Sequence, residues 1–155
     1  YVYASVCNNL ALFYQELSQF EKAISLQEKS LKILEEKGDN PIQYAITLSN
    51  LVLPYIKVKN LKKANEYLKK ALNLIEIEVG KSHNLYSAIL NNIASFYFEE
   101  GEYKKALELF NESLEICRNT FGENSNNYKN ILENIKIVKE KIEEDSEKNL
   151  EYISW

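Results

Sequence analysis

The sequence repeats itself at a nearly constant interval, and this periodicity constrains the fold more than any other feature. Tyrosine and an asparagine–aliphatic pair both recur at intervals of 41, 42 and 42 residues, and glycine recurs twice at an interval of 42. Several residue series in one register indicate stacked copies of one supersecondary unit. The series are Tyr3, Tyr44, Tyr86 and Tyr128; Asn9, Asn50, Asn92 and Asn134; Leu10, Leu51, Ile93 and Ile135; and Gly38, Gly80 and Gly122.

Each copy has the pattern of two helices. Within residues 86–122, apolar residues stand at helical spacing in two stretches, which the short turn Glu100-Gly101-Glu102 separates. Apolar alternation with a period of two, which is typical of strands, is not sustained anywhere in the sequence. We therefore predict an all-α fold with no sheet. The expected helices span residues 2–17, 20–37, 41–58, 61–79, 83–99, 102–119 and 125–148.

Prolines and small residues add local detail to this pattern. Pro41 suits the first turn of a helix, with Asp39 and Asn40 as candidate caps. Pro54 cannot donate a hydrogen bond to the carbonyl of Asn50 and should kink its helix. Small residues at two repeated positions should let the two helices of a unit approach closely. These are Ala23, Ala64 and Ala106, and further along Ser30, Ala71 and Ser113.

Composition excludes several classes of function. The net charge is −4, and Arg118 is the only arginine among 19 basic residues, which argues against nucleic-acid or phosphoprotein ligands. No apolar run approaches the ~18 residues that a membrane span needs. Cys7 and Cys117 belong to no Cys-x-x-Cys pair, so we expect reduced core thiols in a cytoplasmic protein, with no metal or cofactor.

No residue pattern indicates catalysis. His83 stands in a loop between units, where a turn residue is a plainer interpretation than a general base. The chain has only four glycines, all assigned to helix ends or turns, so it has no glycine-rich phosphate loop. We therefore expect that the chain is not an enzyme.

The repeated residues resemble the tetratricopeptide repeat, in the longer form of about 42 residues seen in kinesin light chains. The third unit carries Asn92-Ile93-Ala94, Tyr97, Gly101, Tyr103, Ala106, Phe110 and Ser113-Leu114. The first unit matches through Asn9-Leu10-Ala11, Tyr14, Phe20, Ala23 and Ser30-Leu31, and the second through Asn50-Leu51, Tyr55, Leu61, Ala64, Leu68 and Ala71-Leu72.

This resemblance implies a right-handed superhelical solenoid of antiparallel helix pairs, with three full repeats and a C-terminal capping helix. The expected domain covers residues 1–148, with repeats at about 3–43, 44–85 and 86–127, a cap helix at 128–148 and a tail at 149–155.

The two ends of the sequence differ in polarity. Lys136 and Lys139 replace a small residue and a tyrosine of the family pattern, which suits a solvated terminal cap. By contrast, Tyr3 and Val6 stand near an N-terminus that has no polar cap. We therefore expect further repeats upstream, in a longer protein of which this sequence is a piece.

The resemblance also implies a concave groove lined by the first helix of each unit, with the recurrent asparagine facing it. An amide side chain offers a donor and an acceptor, so it can bind the backbone of an extended peptide without reading its sequence. One turn further along, mostly apolar residues should form shallow pockets. The alternatives are that these residues brace neighbouring helices or face water. The candidate peptide-binding residues are Asn8, Asn9, Leu12, Ser49, Asn50, Leu53, Asn91, Asn92, Ser95 and Asn134.

The function that follows is a protein-interaction module, a scaffold or adaptor that binds a protein or peptide. The first alternative is a ligand- or peptide-sensing domain of a larger bacterial-type regulator, and the second is an enzyme appended upstream. Clamping of a terminal carboxylate is disfavoured, because the corresponding groove positions hold no basic cluster. The tail regains apolar character at Leu150, Tyr152, Ile153 and Trp155. These residues should contact protein, either through a continued helix or by self-association in the groove of a neighbouring copy. The alternative is a helix that is simply extended.

Overall fold

The computed structural model of the chain describes the backbone of residues 2–153 and the side chains of residues 2–148. This part of the chain is helical and contains no strand, so the all-α prediction is confirmed. The helices are α1 (Val2–Glu16), α2 (Phe20–Lys37), α3 (Pro41–Asn50), α4 (Val52–Lys57), α5 (Leu61–Val79), α6 (Asn84–Glu99), α7 (Tyr103–Phe121) and α8 (Asn126–Ile153).

The helices pack as two compact units, an N-terminal unit that ends at Lys81 and a C-terminal unit that begins at Ser82. In the N-terminal unit, α1 pairs with α2, α3 and α4 pair with α5, and α2 also packs along α3 and α4. In the C-terminal unit, α6 pairs with α7, and α7 packs along α8. The same arrangement therefore recurs in both units: a hairpin of a first and a second helix, with the second helix covering the next first helix.

Small residues bring the two helices of each hairpin into close contact. Ala23, Ala64 and Ala106 are all fully buried, as the repeated positions predict. In the third hairpin, Ser87 Oγ donates to the carbonyl of Ser113 at 2.9 Å and Ser113 Oγ donates to the carbonyl of Ser87 at 2.8 Å. The serine side chain is short, so its hydroxyl can bond only to groups near its own backbone. These two bonds therefore show that the two helix backbones lie very close together here.

Pro54 divides the third predicted helix, as expected, although the division lies at Leu51 rather than at the proline itself. Proline leaves the carbonyl of Asn50 without its usual helical donor. The Nε2 atom of Gln15 donates to this carbonyl at 3.1 Å. The interruption therefore creates a bond between α1 and the end of α3.

The loops that join one hairpin to the next carry side-chain caps. Asn40 Oδ1 accepts a hydrogen bond from the backbone N–H of Gln43 at 3.0 Å, and Pro41 stands in the first turn of α3, as predicted. His83 Nδ1 accepts from the N–H of Leu85 at 3.2 Å and caps α6. This contact gives His83 a structural role at a helix start.

The turn inside each hairpin needs a left-handed residue. Ser18, Lys59 and Gly101 occupy equivalent positions and have φ values of 56°, 60° and 79°. Only the third hairpin uses glycine, the residue that tolerates this conformation best. The two other hairpins therefore accept some backbone strain to keep the same tight turn.

A lysine lies over a tyrosine ring in all three hairpins. Lys22 lies 5.3 Å from the ring centroid of Tyr14, and Lys105 lies 3.8 Å from that of Tyr97. The second hairpin has the same pair, Lys63 over Tyr55 at 4.9 Å. This cation–π contact ties the start of each second helix to the end of its first helix.

In the N-terminal unit, a carboxylate joins the pair formed by Tyr55 and Lys63. Tyr55 OH donates to Glu28 of α2, and Lys63 Nζ donates to Glu28 Oε1 at 2.9 Å and to Tyr55 OH at 2.8 Å. Burial and the hydrogen bond to Glu28 raise the pKa of Tyr55 to about 12. Burial opposes ionisation of Glu28, but hydrogen bonds from Tyr55 and Lys63 outweigh it and hold the pKa of this carboxyl below its usual value. The cluster joins α2, α4 and α5.

The core of the first hairpin contains a buried amide. Gln27 is fully buried at the position that Leu68 and Phe110 occupy in the next two hairpins. Its Oε1 atom accepts from Gln15 Nε2 at 3.4 Å, while its Nε2 atom has no hydrogen-bond partner among the described residues. An unsatisfied buried donor lowers stability by about 1–3 kcal/mol.

Replacing Gln27 with leucine should therefore stabilise the chain. We expect Gln27→Leu to raise the free energy of unfolding by about 1 kcal/mol, because it removes the unsatisfied amide and adds apolar contacts. The reciprocal variant Leu68→Gln should lower it by about 2 kcal/mol or more. Urea unfolding followed by circular dichroism measures both. A loss of stability in Gln27→Leu would show instead that the amide holds the hairpin together.

The Tyr55 cluster predicts a specific loss of stability at high pH. Folding raises the pKa of Tyr55 from 10.0 to about 12. The contribution of Tyr55 to the free energy of unfolding is therefore complete below pH 10 and is lost as the pH rises towards 12. Tyr55→Phe should thus be less stable than the wild type at neutral pH, and this difference should shrink at high pH. Urea midpoints from pH 8 to pH 11 give the difference. Tyr14→Phe, at the equivalent position of the first hairpin, is the control, and a difference that does not vary with pH would contradict the prediction.

Candidate functional site

A cleft lies on the first-helix face of the C-terminal unit, between α6 and α8, and the end of α7 closes one side of it. Its volume is about 220 Å³. Half of the residues that line it are asparagines, and none carries a charge. We call it the asparagine cleft. Its lining residues are Asn84, Ser87, Ala88, Asn91, Asn92, Cys117, Phe121, Asn127, Asn130 and Ile131.

The predicted residues of this unit lie close together. Asn91 and Asn92 line the cleft from α6, and both are half-buried. Asn134 of α8 is also half-buried, and its Nδ2 atom donates to Asn91 Oδ1 at 3.4 Å. Ser95, one turn further along α6, donates from Oγ to the carbonyl of Asn91 at 3.0 Å. The register that predicted these four residues thus brings them to one face of the unit.

Three asparagines of the cleft were not predicted. Asn84 opens α6, and Asn127 and Asn130 lie in the first turns of α8. They fall outside the repeated asparagine series, so the periodicity gives no sign of them. The one signal in the sequence is the concentration of asparagine over residues 124–130, which on its own is typical of a helix cap.

In the N-terminal unit, the candidate residues divide by burial. Asn9 is exposed and Asn50 is half-buried, while Leu12 and Leu53 leave 41% and 45% of their surfaces in water. Asn8 and Ser49 lie in the interior, with exposed fractions of 4% and 6%.

Asn8 braces two helices. Its Nδ2 atom donates to Thr47 Oγ1 at 2.7 Å and so ties α1 to α3. This is the bracing role that the sequence left open for the asparagines. The residues of this unit that offer surface to a ligand are therefore Asn9, Leu12, Asn50 and Leu53.

The chemistry of the asparagine cleft is that of neutral hydrogen bonding. Each amide side chain presents donors and an acceptor, as does each peptide group of a polypeptide. Phe121, which is 48% exposed, adds apolar surface to the walls. The volume lies below the ~300–1,000 Å³ typical of pockets for drug-sized ligands and cofactors. The cleft therefore suits one or two residues of a chain that passes over it.

The described residues form neither a metal-binding cluster nor a membrane-spanning helix. Among residues 2–148, no group of three or more His, Cys, Asp or Glu side chains could hold a metal ion. Within the same described part, none of the helices is both long enough and apolar enough to cross a membrane. Cys7 and Cys117 are both buried free thiols, as predicted.

The sequence profile of the tetratricopeptide repeat matches residues 3–77 and 85–148. The chain belongs to the tetratricopeptide repeat family. The first matched segment covers the two N-terminal hairpins, and the second covers the third hairpin and most of α8. Tetratricopeptide repeats are in general non-catalytic modules that bind other proteins.

Solved structures with this fold include kinesin light chain-like proteins, which confirms the resemblance seen in the sequence. The putative kinesin light chain with nearly identical TPR-like repeats from Podosopora anserina has a TM-score of 0.79 and 17% identity, over 92% of this chain and 68% of that chain. BtubC (BKLC) from P. vanneervenii has a TM-score of 0.77 and 20% identity, over 90% of this chain. The chain described here spans 56% of the length of BtubC.

A third similar structure is the Sgt2 TPR domain from Aspergillus fumigatus, with a TM-score of 0.62 and 24% identity over 93% of this chain and 82% of that domain. At these identities, the three structures establish the fold alone. No curated protein matches the chain by sequence.

Proposed function

We propose that this tetratricopeptide repeat chain is a scaffold or adaptor that binds an extended peptide or partner segment along its first-helix face. The observation that carries the proposal is the asparagine cleft, a concave site with five asparagines and no charged residue in its lining. Asn9, Leu12, Asn50 and Leu53 would form a second contact region on the N-terminal unit.

The lining of the cleft favours recognition of the main chain. An extended segment carries an N–H and a C=O at every residue, and amide side chains can pair with both. Because an extended chain advances ~3.3 Å per residue, only a few of its residues can contact the cleft at one time. Binding would therefore depend on backbone groups that all sequences share, with selectivity left to the neighbouring side chains.

Because no residue of the cleft lining is charged, we expect the cleft to prefer an uncharged segment of the ligand. A carboxylate or ammonium group that enters the cleft loses water and finds no opposite charge among the lining residues. A small or apolar side chain instead gains contact with the exposed ring of Phe121. Neutral hydrogen bonds are also little affected by salt, unlike exposed ion pairs.

The remaining parts of the proposal follow from the charges and the thiols. A protein or peptide partner suits the chain better than nucleic acid, because the net charge is −4 and Arg118 is the only arginine. A cytoplasmic location fits the two buried free thiols, Cys7 and Cys117. The chain would act by binding and would have no catalytic activity of its own.

The test is to select peptides from a display library against the full chain and to measure their affinity by fluorescence anisotropy. We expect Asn127→Ala with Asn130→Ala to weaken a selected peptide about 5- to 100-fold, since two neutral hydrogen bonds contribute roughly 1–3 kcal/mol. Both side chains are exposed, so the melting temperature should not change. The matched control is Asn111→Ala with Asn119→Ala, two exposed asparagines of α7 outside the cleft lining.

Two results would count against the proposal. One is that the selected peptides bind the Asn127 and Asn130 double variant as tightly as the wild type. The other is that the selected peptides are strongly charged and release at moderate salt, which would point to an electrostatic surface elsewhere on the chain.

A further inference from the structure

A second cavity lies in the N-terminal unit, between the last turn of α2, the start of α3 and the middle of α5. Its volume is about 240 Å³. Leu34, which is only 3% exposed, Pro41 and Leu74 give it an apolar wall. Glu35 and Lys70 also line it, and both are exposed. Unlike the asparagine cleft, this cavity therefore combines an apolar wall with one charge of each sign.

The charged residues of this cavity repeat a cluster that lies two helical turns away in the same unit. Glu35 follows Glu28 on α2 by seven residues, and Lys70 follows Lys63 on α5 by the same interval. A tyrosine completes each set. In the cavity, Lys70 Nζ donates to Tyr44 OH at 2.7 Å and lies 4.7 Å from the centroid of the tyrosine ring.

The two sets differ in how the carboxylate is paired. In the first set, Lys63 donates to Tyr55 at 2.8 Å, and Glu28 accepts from both residues. In the cavity, Glu35 has no ion-pair or hydrogen-bond partner among the described residues. The hydrogen bond to the tyrosine and, to a smaller extent, the negative charge of Glu35 raise the pKa of Lys70. The same three residue types thus form a closed cluster at one place and border a cavity at the other.

The part of the cavity near Lys70 can bind an anionic group. The ammonium of Lys70 has three donors and uses one of them on Tyr44. Because Tyr44 OH accepts this bond, its own hydrogen remains to be donated. Asn40 also lines the cavity, and its Oδ1 atom caps α3, which leaves the Nδ2 donors for a ligand. These three side chains together offer a carboxylate the donors that it needs.

The part of the cavity near Glu35 can bind a cationic group. An ionised carboxylate is purely an acceptor, so it pairs well with the three donors of an ammonium group. Glu35 stands in the last turn of α2, where the negative end of the helix dipole also favours positive charge. The apolar wall, in which Leu34 is buried, can contact the hydrocarbon part of the same ligand.

We propose that this cavity binds a free amino acid with an apolar side chain as its zwitterion. The carboxylate would bond to Lys70 and Tyr44, the ammonium group to Glu35, and the side chain would contact Leu34 and Leu74. The volume lies below the ~300–1,000 Å³ typical of pockets for drug-sized ligands, which suits a molecule of this size. None of the candidate peptide-binding residues lines this cavity, so the proposal does not depend on the proposed function.

The test is a nuclear magnetic resonance titration of the isotope-labelled full chain with L-leucine. We expect the backbone amide signals of Gly38, Ile42 and Leu74 to shift saturably, with a Kd of about 1 mM, because exposed ion pairs contribute little to affinity. Leucinamide lacks the carboxylate and N-acetylleucine lacks the ammonium group. Each should bind about tenfold more weakly than leucine or worse, since each leaves one charge of the cavity unpaired.

Substitutions locate the binding site. Lys70→Met and Glu35→Gln should each weaken leucine binding by about tenfold, for the same reason as the altered ligands. Both side chains are exposed, so circular dichroism should show that the variants remain folded. The matched controls are Lys69→Met and Glu36→Gln, which change the neighbouring exposed residues outside the cavity lining and should leave leucine binding as in the wild type.

Three results would overturn the proposal. The first is that leucine causes no saturable shift. The second is that leucinamide or N-acetylleucine binds as tightly as leucine, in which case the chain recognises a single charged end, as in a polypeptide terminus. The third is that Glu35→Gln binds leucine like the wild type but unfolds at a lower temperature than Glu36→Gln, which would show that Glu35 pairs directly with Lys70.

Discussion

The structure depends on how closely the two helices of each hairpin approach each other. At Ala23, Ala64 and Ala106 the contact is made by a methyl group, and at Ser113 the side chain reaches the backbone of the opposite helix. Such a contact leaves no room for large side chains between the two helices, so these side chains point to the flanks. A hairpin alone cannot bury its flanks, and the next helix must cover them. Stacking is thus a consequence of the small residues at the centre of each hairpin.

The same geometry produces the candidate site. When a second helix packs on the next first helix, it holds two first helices side by side, and residues in the same register meet. In the C-terminal unit this brings Asn91 and Asn134 within hydrogen-bonding distance across α6 and α8. Each helix around the asparagine cleft is packed on a neighbour, α6 on α7 and α7 on α8. A partner segment would therefore be ordered by a surface that is already formed, which reduces the entropy lost on binding.

The features that repeat were predictable from the sequence, because every copy of the unit supplies independent support for them. The hairpins and the small residues between their helices belong to this group. Prolines made two single features predictable, the start of α3 at Pro41 and the interruption near Pro54. Other single features were not predictable. Gln27 stands where the two other hairpins have a large apolar residue, so the register places it in the core, but the periodicity does not indicate which partners its amide has there. The tyrosine–lysine pairs do repeat, but the pairing needs the geometry of the turn, which places residues eight apart in contact.

Two further differences have simple physical causes. The last helix was predicted to end at about residue 148, whereas α8 continues to Ile153. Glutamate and lysine are good helix formers, and Lys141 and Glu144 form an ion pair one turn apart. The expected protein contacts of Leu150, Tyr152, Ile153 and Trp155 concern side chains outside the described residues. Asn8 lies inside, where its Nδ2 atom donates to Thr47 of the neighbouring α3.

The most direct test of the account is the nuclear magnetic resonance spectrum of the asparagine side-chain amides, recorded with and without a saturating peptide selected against the full chain. A peptide bound through its main chain in the asparagine cleft should shift the Nδ2 signals of Asn84, Asn92, Asn127 and Asn130. The signals of Asn111 and Asn119 on α7 should stay in place. Unchanged signals from the cleft, together with shifts confined to other surfaces of the chain, would contradict the central claim that the cleft is the binding site.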